Sequence, residues 1–256
     1  MVSFTNPVFL WTPTGKNRSY VTYQGPLSVP PGSQVEIRPG NPHIDPELVK
    51  EGKSFFFSEG WTGTGEVFGM YRLSKFFAEA GHSLRVARSR SLTFGDLRDV
   101  NVVFLGSPWA NDLQEKINPG RTPLACLGFA KITNYNPLPG EEATYEPLYD
   151  PDTKALTLTY ALLSVLPGVT PGTKIISSAG IDTYGTAAGI EFLTSAQGVS
   201  ELIQRLDPRQ RRKLPDFFQA VIRTEIVRGD PARTVVVLTR AVDRKVMSSE
   251  ARPVAQ

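Results

Sequence analysis

The chain contains a single cysteine, Cys126, in 256 residues, so no intrachain disulfide and no cysteine-based structural zinc site can form. Histidine is nearly as scarce. His43 lies in a proline-rich segment and His82 near a helix-to-strand turn, and neither belongs to an HExxH pattern. No GxSxG elbow marks a serine nucleophile, so neither a metal hydrolase nor a Ser-His-Asp enzyme is supported by motif. Charge of one sign is also in short supply: 28 Lys and Arg against 25 Asp and Glu leave +3. That excess is too small and too scattered to imply nucleic acid. Arg85, Arg88 and Arg90, and the run Arg205, Arg209, Arg211, Arg212 and Lys213, read as solvated connections. No reading helix, stacking platform or zinc finger accompanies them. No apolar run approaches the roughly 18 residues of a membrane span, and the basic start and apolar stretch of a secretory signal are missing. The expectation is a soluble, cytoplasmic protein with no membrane contact and no direct nucleic-acid binding.

Proline and glycine are plentiful, 21 and 22 residues, and the prolines are uneven. Pro7, Pro13, Pro26, Pro30, Pro31, Pro39, Pro42 and Pro46 exclude a long helix from the first fifty residues. Residues 1–52 are therefore expected to form an extended arm or covering segment, a candidate contact for a homo-oligomer. Residues 53–245 read as a single α/β domain and 246–256 as a flexible tail. Within the domain, Phe55-Phe56-Phe57 suggests a buried strand. Val67, Met70, Leu73, Phe76, Phe77 and Ala80 then form one apolar stripe of a helix. His82–Ala87 and Asn101–Leu105 continue as strands. Strand, helix, strand, strand in this order is the signature of a parallel sheet with covering helices. Leu156–Leu166 and Lys174–Ser178 could pair as a hairpin, a helix is expected near 199–206, and two alternating strands follow.

Three strand exits combine glycine with polar side chains, and all are expected on the carboxyl edge of the sheet, where α/β proteins bind ligands. The first holds Trp61, Thr62 and Thr64, but its glycines miss the dinucleotide fingerprint at Thr62 and Phe68, and no Gly-Lys-Ser or Gly-Lys-Thr makes it a P-loop. The second, Gly106–Asp112, offers Ser107, Trp109 and Asn111. In the third, Ala179–Ala188, converging amides at a helix start, with Thr183, Gly185 and Thr186, could receive a phosphate or carboxylate. The same residues serve equally as caps and close-packing turns. Glu141, beside Glu142, is a candidate from a fourth loop.

Asn101–Pro108, Pro139-Gly140-Glu141, and Gly180–Ala188 before Glu191-Phe192 together resemble a group of uncharacterised bacterial α/β domains, some joined to winged-helix regulatory modules. The resemblance covers about residues 54–240. It implies a three-layer, Rossmann-like fold: a mostly parallel sheet with helices on both faces, and antiparallel strands at the C-terminal end. It carries no catalytic residue and no cofactor, and this chain shows no winged helix. The functional expectation is a module that binds or senses a small polar or anionic molecule in a cleft at the strand exits. An enzyme acting on a nucleotide or activated small substrate, and a non-catalytic interaction domain, are the alternatives.

Overall fold

The computed structural model describes residues 1–4, 8–14, 17–23, 34–35, 55–58, 62–108, 111, 113–114, 122–126, 131–207, 209 and 213–243. The chain divides into two compact units, one of Met1–Thr5 with Gly63–Gln256, the other of Asn6–Thr62. The smaller unit holds a four-stranded antiparallel sheet of β2 (Val8–Thr14), β3 (Asn17–Tyr23), β4 (Gln34–Val35) and β5 (Phe55–Ser58), in the order β3-β2-β5-β4. Trp61, Trp109 and the expected tail 246–256 lie outside the described residues.

The larger unit is built on an eight-stranded mixed sheet. Its strands are β1 (Val2–Phe4), β6 (Val86–Arg88), β7 (Val102–Leu105), β11 (Leu148–Tyr149), β12 (Leu156–Pro167), β13 (Lys174–Gly180), β14 (Phe218–Val227) and β15 (Asp230–Ala241). They follow the order β15-β14-β12-β13-β7-β1-β6, with β11 paired to β12. Only the pairs β6–β1, β1–β7 and β7–β13 are parallel. From β13 onward every pairing is antiparallel. Three α-helices are described: α1 (Thr64–Glu79), α2 (Thr183–Leu193) and α3 (Ala196–Leu206). None of the described helices is long and apolar enough to cross a membrane.

All three helices cover one face. Leu73 of α1 and Ile190 of α2 pack with Val2, Val103 and Leu105, while Phe192 of α2 and Leu202 of α3 pack with Leu163, Phe218 and Ile222. Ile176 touches both groups, so they form one continuous layer. The opposite face carries no described α-helix that spans it. A small antiparallel sheet, β10 (Thr144–Tyr145), β9 (Ile132–Asn134) and β8 (Leu124–Cys126), covers the half near β12. Near β7 the cover is Leu92, just after one single-turn 3-10 segment, and Leu97, the last residue of a second, together with Leu113.

This overturns the expected three-layer Rossmann-like architecture: the sheet is mixed, and among the described residues the second face is covered by a small antiparallel sheet and short 3-10 segments rather than by a layer of α-helices. Two physical reasons account for the difference. The strand that begins the parallel half is Val2–Phe4, too short to show a period, whereas the conspicuous Phe55–Phe57 run pairs antiparallel with β2 and β4 in the other unit. Between β12 and β13, moreover, a turn with Gly172 at φ +90° closes a hairpin, which forces the antiparallel switch.

Candidate functional site

β1, β7 and β13 run parallel, so their exits lie on one edge of the sheet, and the connections leave it in different directions. β13 leads into α2 on the helical face, and α1 covers β1 on that same face. β7 leads instead to Leu113, which packs with Val102 and Phe104 on the other face. The connections of the neighbouring strands β7 and β13 thus leave towards opposite faces, the arrangement of a topological switch point.

On the helical side two helix starts touch. Gly63 stands at the N-cap of α1 and has no side chain to cap it. The Thr183 hydroxyl, from α2, accepts from the Gly65 N–H at 2.5 Å and lies 3.2 Å from Thr64 Oγ1. Thr183 thus does from a second helix what a capping threonine ordinarily does from its own. A Cβ on Gly65 would stand 1.8 Å from the Thr183 carbonyl oxygen, so the contact requires glycine. Glu66 folds back over Gly63, placing a carboxylate at the positive end of α1.

The start of α2 carries its own cap. Asp182 caps it, its Oδ1 accepting from the Gly185 N–H at 2.9 Å while Oδ2 accepts from the Thr159 hydroxyl at 2.6 Å. The Thr186 hydroxyl donates to the Asp182 carbonyl at 3.2 Å, and Ser178 Oγ donates to the Thr186 carbonyl at 3.1 Å. A Cβ on Gly185 would lie 2.5 Å from the Tyr160 carbonyl. Gly185 and Thr186 therefore seat the helix on the sheet, and of this exit's candidates only Thr183 faces another exit.

The β7 exit has a different character. Gly106, at φ +94°, turns the chain, and Ser107, Asn111 and Gln114 are all buried. Asn111 and Gln114 have the spacing of a capping box, in which each side chain would bond the other residue's N–H. Half of it forms: Asn111 Oδ1 accepts from the Gln114 N–H at 3.2 Å. The Asn111 N–H instead donates to the Pro108 carbonyl at 2.9 Å, which leaves Gln114 Oε1 without a donor. Asn111 Nδ2 and Gln114 Oε1 have no hydrogen-bond partner, although the residues are only 1% and 5% exposed. Ser3 Oγ, on a fully buried residue of β1, is likewise unpartnered. Val2 points to the helices, so strand alternation turns Ser3 to the face of its neighbours Phe104 and Ala87, where Leu113 also packs.

Two further candidates lie elsewhere in the fold. Glu141 Oε2 accepts from Arg240 of β15, from the Leu138 N–H at 2.9 Å and from Asn134 Nδ2 at 3.2 Å. These bonds hold the carboxyl down to about 2 and tie the small sheet's loop to the edge of the large one. Thr62 ends the other unit. Cys126 is buried against the main sheet, and burial pushes its thiol up to about 12, which makes it inert. Among the described residues no group of three His, Cys, Asp or Glu side chains could hold a metal.

Sequence reasoning singled out Asn111 but passed over Gln114 and Ser3. The Asn-x-x-Gln spacing was available as a signal for Gln114; a three-residue strand offers none for Ser3. No protein-family model, curated protein or solved structure matches the chain.

Proposed function

We propose that the larger unit binds or senses a small molecule at the carboxyl edge of β1, β7 and β13. The observation that carries this reading is the set of buried, unpartnered polar atoms at the β7 exit. A buried donor or acceptor left unmade costs about 1–3 kcal/mol, and two such atoms within one short loop, Asn111 Nδ2 and Gln114 Oε1, with Ser3 Oγ on the neighbouring strand, are a cost that a bound partner would remove. The connections of β7 and β13, which leave towards opposite faces, support a crevice at this edge, as at the switch point of other α/β sheets.

The enzyme alternative requires an acid or base able to reach a reacting atom. Asp182 and Glu141 are both committed to caps and ion pairs within the fold, so binding is the better-supported reading. A thermal-shift screen of nucleosides, amides, sugar phosphates and carboxylates tests it. A ligand at 100 times its Kd should add about 2.7 kcal/mol of stability, and Gln114→Met should abolish the response. A broad panel that moves the melting temperature of neither protein would refute the proposal.

A further inference from the structure

The chemistry of the open atoms narrows what the ligand can be. Asn111 Nδ2 can only donate, because its Oδ1 is fixed by the Gln114 N–H and the carboxamide cannot be turned round without losing that bond. Gln114 presents an oxygen, and the Ser3 hydroxyl can serve either way. None of these groups carries charge. The neighbouring helix starts add no attraction for an anion, since α2 is closed by the Asp182 carboxylate and the first turn of α1 carries Glu66. The described residues of the three exits, 63–66, 106–108, 111, 113–114 and 180–186, include no lysine and no arginine. At the described residues of these three exits a phosphate or carboxylate would meet two carboxylates and no cation, the basic Arg88 and Arg90 belonging to the end of β6 instead, and neutral amide groups alone return little of the cost of burying a charge.

We infer that the ligand is uncharged and offers a hydrogen-bond acceptor beside a donor, as a primary carboxamide, a lactam or the edge of a nucleobase does. The acceptor meets Asn111 Nδ2 and the donor meets Gln114 Oε1, with Ser3 available to either. This rests on the reading that the β7 exit is a binding site, and the two can fail separately.

The test uses matched probes of the same shape: benzamide against benzoate and nicotinamide against nicotinate, with inorganic phosphate as a third class, each titrated into the full chain by ligand-observed NMR. The amides are expected to bind about tenfold or more tightly than their carboxylates, because a buried site built for a hydrogen bond rejects a partner that cannot make it. Gln114→Met, which leaves the Asn111 cap in place, and Ser3→Ala should each weaken amide binding without altering the far-ultraviolet circular dichroism. Tighter binding of the carboxylates or of phosphate, lost in Gln114→Met, would overturn the inference while leaving the site standing. Amide binding that survives both substitutions would overturn it by placing the ligand elsewhere. Silence from every probe would overturn the inference and the site together.

Discussion

Gln219 and Gln114 are both buried carboxamides, 0% and 5% exposed, and the fold treats them in opposite ways. Gln219, on β14, accepts from the Leu124 N–H at 3.0 Å and donates to the Leu124 carbonyl at 2.9 Å and to Ser164 Oγ at 3.1 Å. Its side chain behaves as one more strand, pairing with the backbone of β8 and clamping the small sheet to the large one. Gln114 sits over the other half of the same face with an oxygen that bonds nothing. The contrast shows that this protein can satisfy a buried amide completely where only structure is at stake. The full satisfaction of Gln219 makes the gap at Gln114 informative.

The matched substitutions Gln219→Met and Gln114→Met test that contrast, because methionine keeps the shape and removes the polar atoms. At Gln219 the change strands the buried N–H of Leu124 and removes the bonds to its carbonyl, which keeps the Thr122 hydroxyl at 2.8 Å, and to Ser164 Oγ, so a loss of about 3 kcal/mol is expected in urea unfolding. Gly65→Ala should come next, at about 2 kcal/mol, since its Cβ would drive α1 off the Thr183 carbonyl. Gln114→Met should show the opposite sign, a gain of up to about 1 kcal/mol, because it removes an unmet acceptor and no bond. If Gln114→Met proved as costly as Gln219→Met, the two regions would be alike, and the β7 exit would be ordinary structure.

How much of this was legible in the sequence follows the same division. The helices, the β7 strand and the glycine-marked exits were readable, because apolar period and turn chemistry are local. The second covering layer was not, since β8, β9 and β10 have only two or three residues each and gain their identity from packing under Leu162, Val221 and Leu238. The sheet's direction was equally hidden. Parallel and antiparallel strands draw on the same apolar residues, and the strand that founds the parallel half is separated from its helix by an entire unit. At the site, residue types pointed to threonines at helix starts, yet only geometry shows Thr186 spent on the Asp182 carbonyl of its own helix and Thr183 capping a neighbour. An unpartnered atom is a relation among many residues, so no spacing in the chain can announce Ser3.

The smallest expected effect concerns the other bond between the two layers. Arg240, Leu138 and Asn134 hold Glu141 near 2, well below its ordinary value of 4.5. The folded protein therefore keeps this carboxylate ionised at pH values where the unfolded chain takes up a proton. The stabilisation is complete above about pH 4.5, declines as pH falls, and is gone below about 2. Glu141→Gln removes the charge at every pH, so its urea midpoint should vary less than that of the parent between pH 5 and 3, roughly the range in which the unfolded carboxyl titrates. The effect should stay well below that of Gln219→Met, because water reaches both partners of the ion pair, whose side chains are 18% and 19% exposed. Parallel curves for parent and variant would mean that Glu141 contributes nothing to holding the small sheet in place. Gln219 would then stand as the polar clamp whose contrast with Gln114 defines the open end of the face.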